Sequence, residues 1–184
     1  MSLKNVRVEN AYYLSYPMIT PLITSGTEKE YNVMTATWTT PVSINPPLYG
    51  VSIAPSRYSH KLIKKHGEFG VCFLDFKHVD KVLRAGRLSG RDINKLKELN
   101  LERQNASSIS APILANSISA LECQVKHSPQ LGDHTFFVGE VVSAWLQEGS
   151  LKGNVFDLEK VNPIFYLGSN RFCTAKQWDK LVKK

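Results

Sequence analysis

The sequence predicts a mainly β protein, an antiparallel β-barrel with a few peripheral helices, and three observations carry that expectation. Short segments rich in Val, Ile, Thr and aromatic residues recur along the chain, as strands prefer. Turn chemistry separates them at Ser25-Gly26-Thr27, Asn45-Pro46-Pro47, Gly132-Asp133 and Gly149-Ser150. Helical patterns are few and short, and none alternates regularly with the strands as in a βαβ fold.

The predicted strands are residues 17–24, 31–39, 48–54, 69–74, 121–127, 135–146 and 164–167. Seven strands suggest a closed barrel, in which no sheet edge is left unpaired. A helix is predicted from Ser59 to His66, because a capping residue opens it and Gly67 terminates it. Shorter helices are expected over 79–83 and 92–99, on either side of Gly86 and Gly90. A last helix is expected over 175–182, with Trp178, Leu181 and Val182 on one side and lysines on the other.

Residues 1–184 read as a single domain, with 77–116 an excursion outside the barrel and 174–184 a C-terminal helix. A hydrophobic fraction of 42% suffices for a continuous core. No stretch approaches the run of about 20 apolar residues that spans a bilayer, so no membrane partner is expected. The N-terminus has no apolar region of the signal-peptide kind. Cys72, Cys123 and Cys173 are odd in number and far apart, which predicts reduced, buried thiols and, with the missing signal, a cytoplasmic protein. No Cys/His cluster has metal-ligand spacing, and no metal is expected.

A net charge of +7 points to phosphate-bearing partners, nucleotide or nucleic acid. The aromatic-plus-basic strand pattern of single-strand binders is missing, so nucleic acid is not expected. Gly86-Arg87-Leu88-Ser89-Gly90-Arg91 lacks the spacing of a P-loop, and neither GxGxxG nor GxSxG occurs.

Three stretches, in this order, resemble the flavin-reductase-like family of FMN-binding split barrels. The first is Asn32-Val33-Met34-Thr35-Ala36-Thr37-Trp38-Thr39-Thr40 with Val51-Ser52-Ile53-Ala54-Pro55-Ser56-Arg57-Tyr58-Ser59-His60. The second is Ser89-Gly90-Arg91-Asp92-Ile93-Asn94-Lys95-Leu96, leading to Ala111-Pro112-Ile113-Leu114. The third is Gly132-Asp133-His134-Thr135-Phe136-Phe137-Val138-Gly139-Glu140-Val141, with Pro163-Ile164-Phe165-Tyr166-Leu167-Gly168 later.

The resemblance implies a split barrel, FMN as cofactor, NAD(P)H as reductant docking over the flavin, and a homodimer. It implies that Asn32, Met34, Thr35, Ala36, Thr37, Trp38 and Ser52 lie along the flavin, and that Ser56, Arg57, Ser59 and His60 form its phosphate turn. Those types suit the task, since a phosphate wants a helix N-terminus, hydroxyls and a cation together. Small residues at 35–37 let backbone approach a planar ring. His134 is implied as the catalytic residue facing the flavin and the nicotinamide, with Ser89 reaching the same pocket. A turn histidine bonded to its own loop is the plain alternative. Two departures stand out: Thr37 and Cys72 occupy positions where relatives often carry Asn.

The activity implied is an NAD(P)H-dependent flavin or acceptor reductase, passing hydride from nicotinamide to flavin. An FMN electron carrier of the flavoredoxin kind, without its own NAD(P)H activity, is the second reading, and a barrel for another ligand the third.

Overall fold

The computed structural model describes residues 2–175. Pro21 interrupts the first predicted strand, because it has no N–H to donate to a ladder. The segment therefore divides into β1 (Met18–Ile19) and β2 (Leu22–Gly26). The second predicted strand also divides, into β3 (Tyr31–Thr35) and β4 (Thr39–Ser43), with Ala36-Thr37-Trp38 as an unpaired bend between them. β5 (Leu48–Ile53) leads to helix α1 (Tyr58–His66), which ends on Gly67 in the left-handed conformation at φ 71°. Then follow β6 (Glu68–Leu74), α2 (Val79–Arg87) and α3 (Lys95–Glu98). Next come β7 (Arg103–Gln104), β8 (Ile113–Leu114), β9 (Ser117–His127), β10 (Gln130–Leu131) and β11 (His134–Leu146). The chain finishes with β12 (Leu151–Lys152), β13 (Val155–Phe156), β14 (Phe165–Gly168) and β15 (Arg171–Cys173).

The main sheet runs β3–β2–β6–β9–β11–β5–β4, every neighbour antiparallel, with β10 paired to the start of β11. Its two end strands, β3 and β4, are not hydrogen-bonded to each other. The closed ring suggested by strand count is thus corrected: the barrel is split at the bend 36–38. β1, β14 and β15 form a separate three-stranded sheet.

Register sorts the apolar residues into two layers. Ile23 pairs with Val71 and Val71 with Leu121 on one face, beside buried Val51, Phe69 and Phe137 inside the barrel. Leu22, Cys72 and Ala120 pair on the other face, where α2, α3 and β8 cover them with Val82, Ala85, Leu96 and Ile113. Burial in this layer pushes the Cys72 thiol up to about 11, so it stays protonated and inert.

The excursion is pinned by a buried carboxylate. Glu122 is fully buried and accepts from Ser107 N–H (2.8 Å), Ser108 N–H (2.6 Å), the Ser107 hydroxyl (3.2 Å) and Trp145 Nε1–H (2.5 Å). α2 is longer than expected, since Gly86 is absorbed at its C-terminal turn, and α3 is only the core of its expected helix. A 3₁₀ segment over Val8–Ser15, not anticipated from sequence, brings Tyr12 and Tyr13 to the barrel. The helix expected over 175–182 falls outside the described residues beyond Ala175.

Candidate flavin site

The fold brings the bend 36–38, the start of α1 and the loop after α2 to one side of the barrel. α1 begins at Tyr58 rather than Ser59, with Arg57 as its N-cap and no side-chain cap bond. Its first N–H groups therefore remain available to an anion, and the helix dipole favours one there. Ser59 is not the cap because its buried hydroxyl accepts from Asn32 Nδ2–H at 2.9 Å, tying β3 to α1.

In front of this helix end lies a cavity of about 210 Å³. Asn32, Met34, Thr35, Ser56, Arg57 and Ser59 line it, as do Tyr58, Gly86, Arg87, Ser89, Arg91 and Lys95. Four cations and no carboxylate line it. Gly90 forms part of its roof, pressed so tightly on Asn32 that a Cβ would lie 2.0 Å from Asn32 Oδ1. Arg91 donates to Ser56 O at 2.9 Å and lies over the Tyr58 ring, fastening the roof to the α1 turn.

Lys95 is the residue that sequence reasoning missed. Only 5% exposed, it donates to Val33 O (2.9 Å) and Ala85 O (2.7 Å), which leaves one N–H unspent at the cavity. Burial, then the nearby Arg57, pulls its ammonium down to about 8. A charge this buried without a carboxylate partner is the kind of group an anionic ligand satisfies. In sequence it reads as one of several lysines on a short polar turn.

A second cavity of about 190 Å³ adjoins the first, and Thr35, Gly86 and Arg87 line both. Thr37 also lines the second, while the Thr35 hydroxyl donates to Val82 O. Ala36 is buried and its N–H donates to Pro21 O at 3.1 Å. Ser52 N–H donates to Trp38 O at 2.9 Å, so β5 holds the far side of the bend.

His134 lies at the start of β11, 4.9 Å from Trp38 between ring centroids, with Nδ1 2.6 Å from Asp133 Oδ1. It thus bonds its own turn, as the plain alternative expects, and its ring also meets the Trp38 ring of the bend at a tilt. Tyr12 meets the same Trp38 ring at 5.8 Å. Ser89 lines the first cavity and accepts from Arg91 N–H at 3.3 Å; His134 does not line that cavity. His60 is turned elsewhere, bonded through Nε2 to Thr135 Oγ1 (2.9 Å) and packed on Phe137. Burial, helped by Lys64, holds its imidazole below the usual range, so it brings no charge to the cavity.

The pattern described as the flavin reductase like domain matches residues 13–173. The chain belongs to this family. A protein of Archaeoglobus fulgidus is 43% identical over 73% of this chain and 76% of its own length. An NADH-dependent flavin reductase of a Rhodococcus species is 31% identical over 71% of each chain. Among solved structures, an FMN-binding protein of Thermus thermophilus superposes with TM-score 0.82 at 29% identity, covering 98% of this chain and 99% of that one. A flavoredoxin of Methanosarcina acetivorans superposes with TM-score 0.87 at 26% identity, covering 99% and 97%. The split barrel of this chain is the fold of that family.

Proposed function

We propose that this member of the flavin reductase-like family binds FMN and serves as an NAD(P)H-dependent reductase of flavin or of an acceptor. The observation that carries the proposal is the acid-free cavity at the α1 N-terminus, with buried Lys95 in its wall and the backbone bend 36–38 beside it. Its donor set fits a phosphate monoester: a free helix end, the Ser56 hydroxyl, the Arg57 guanidinium and the Lys95 ammonium. Arg91 fixes the turn that carries Ser56.

In this reading Asn32, Met34 and Thr35 line the path away from the phosphate. Ala36 and Thr37 offer small side chains against a planar ring. Trp38 supplies aromatic support and His134 a polar edge beside it. When bound, FMN supplies two-electron chemistry, which the nicotinamide reductant and the acceptor share in turn. The chain's own part is binding, orientation and charge placement. His134 Nδ1–H donates to Asp133, which orients the ring and leaves Nε2 as the nitrogen that can accept from a bound group.

A flavin electron carrier without NAD(P)H activity is the second reading, favoured by the likeness to a flavoredoxin. The proposal also includes a homodimer, for which Val42 and Ile44 are exposed apolar residues on the edge beyond β5. A cytoplasmic place is in keeping with three cysteines that form no disulfide.

Two substitutions test the assignment. Arg57→Ala removes an exposed cation and should weaken FMN about tenfold, with the fold intact by circular dichroism. An unchanged FMN titration would remove Arg57 from the phosphate site. His134→Ala should slow reduction by NAD(P)H about tenfold to a hundredfold in stopped flow, with little change in FMN affinity. Equal reduction rates in the variant and the parent protein would end that role for His134.

A further inference from the structure

A third cavity, of about 370 Å³, shares no lining residue with the two described above. It lies at the start of α2, beside the N-cap His78, whereas Gly86 and Arg87 at the other end of that helix face the first cavity. Nine residues of helix put about 12 Å between the two places. The volume falls within the range of pockets that take a whole small ligand.

Topology sets the arrangement of its walls. Lys77 and His78 follow β6, Trp145 stands near the end of β11, and the start of β9 runs between those strands. Two strand spacings, about 10 Å, therefore separate the basic wall from the indole wall. Neither the exposed Lys77 ammonium nor the His78 imidazole has a hydrogen-bond partner or ion pair among the described residues. Burial, then Lys81 and Lys77, outweigh Asp75 and hold the imidazole below its usual range. Near neutral pH it thus offers an N–H rather than a charge.

No carboxylate lines the cavity. Asp75, the acid adjacent in sequence, is engaged by the backbone N–H groups of Lys77 (3.1 Å) and Asn162 (2.8 Å). Across the cavity, the Trp145 indole has spent its one N–H on Glu122, so it presents only carbon surface to a ligand. A flat apolar wall opposite an unpaired cation and a neutral N–H complements an aromatic carboxylate. A bare phosphate would leave the indole unused, and an uncharged ring would leave Lys77 unpaired.

We infer that this cavity binds a small planar organic acid, with its rings on Trp145 and its carboxylate on Lys77 and His78. The site is distinct from the flavin site, and the inference does not depend on the flavin reading.

The test is calorimetric titration of 2-naphthoate into the protein. Saturable binding is expected, with a dissociation constant of about a millimolar or tighter that FMN changes by no more than about twofold. The uncharged 2-naphthamide and the ringless acetate should each bind about tenfold more weakly or worse. Lys77→Gln alters an exposed side chain, so the fold should be kept while naphthoate weakens about tenfold; Lys77→Arg should recover part of the loss. Arg57→Ala should leave naphthoate binding unchanged. In the nuclear magnetic resonance spectrum the Trp145 indole N–H signal should shift during the titration. Four results overturn the inference: no saturable binding, displacement of naphthoate by FMN, equal binding of the amide, or a folded Lys77→Gln variant that binds as well as the parent.

Discussion

Lys95→Met should raise the dissociation constant for FMN about a hundredfold, the largest binding effect expected of any single substitution. The reason is burial. An exposed arginine at a phosphate competes with water and salt, but a lysine 5% exposed meets its anion where neither screens it. About 2–3 kcal/mol for such a charged hydrogen bond corresponds to that fold-change. Met keeps most of the side-chain volume and removes the need to hold a charge in the interior, so the variant should fold. Lys95→Arg, which keeps the charge but not the shape, should recover part of the affinity.

The pH profile of the unmutated protein checks the same residue independently. The charged ammonium is the form that attracts phosphate, and burial has lowered its pKa to about 8. Affinity should therefore be greatest below that value and fall as pH rises through it. Below about pH 6 it should fall again, as the phosphate takes up its own proton. A flat profile from pH 6 to 9 would separate Lys95 from the anion.

Glu122→Ala should lower the melting temperature by roughly 10 °C, the largest stability effect expected. Alanine strands the two backbone N–H groups of Ser107 and Ser108 and the indole N–H of Trp145, all now satisfied by one carboxylate. Orphaned donors of this kind cost about 1 kcal/mol or more each, so the total is about 3 kcal/mol. Burial by itself would raise the carboxyl pKa, but the bonds from Ser107, Trp145 and Ser108 outweigh it and hold the value below the usual range. A lowered folded-state pKa means stabilisation that is present above the unfolded value, about 4.3, and lost as pH falls through the folded one. Acid should therefore loosen the 105–111 segment first, and amide exchange at Ser107 and Ser108 would report it. A melting temperature unchanged by the substitution would contradict the clamp.

What the sequence made legible follows from which forces are local. β5, β6 and β11 were readable because Val, Ile and aromatic residues cluster between turn residues, and α1 because Gly67 stops it. The bend 36–38 was not, since Thr and Trp suit a strand and the backbone bonds that hold the bend come from Pro21 and Ser52, which lie elsewhere in the sequence. The chain does turn into α1 at Ser56-Arg57-Tyr58-Ser59, yet Ser59 is not the cap, because its hydroxyl is bonded by Asn32, a partner 27 residues away. His60 lies next to that turn in sequence but faces Thr135 because one residue along a helix rotates the side chain by about 100°. Lys95 and Glu122 are ordinary charged residues until burial gives them meaning, and burial is decided by distant segments.

The most direct test of the flavin assignment is the visible spectrum of the purified protein after incubation with FMN, recorded before and after anaerobic addition of NADH or NADPH. A bound-flavin spectrum that bleaches is the result expected of a reductase. A bound-flavin spectrum that persists would contradict the reductase and leave the electron carrier. No bound flavin at all would contradict the central claim, that the acid-free cavity around Lys95 is a flavin phosphate site.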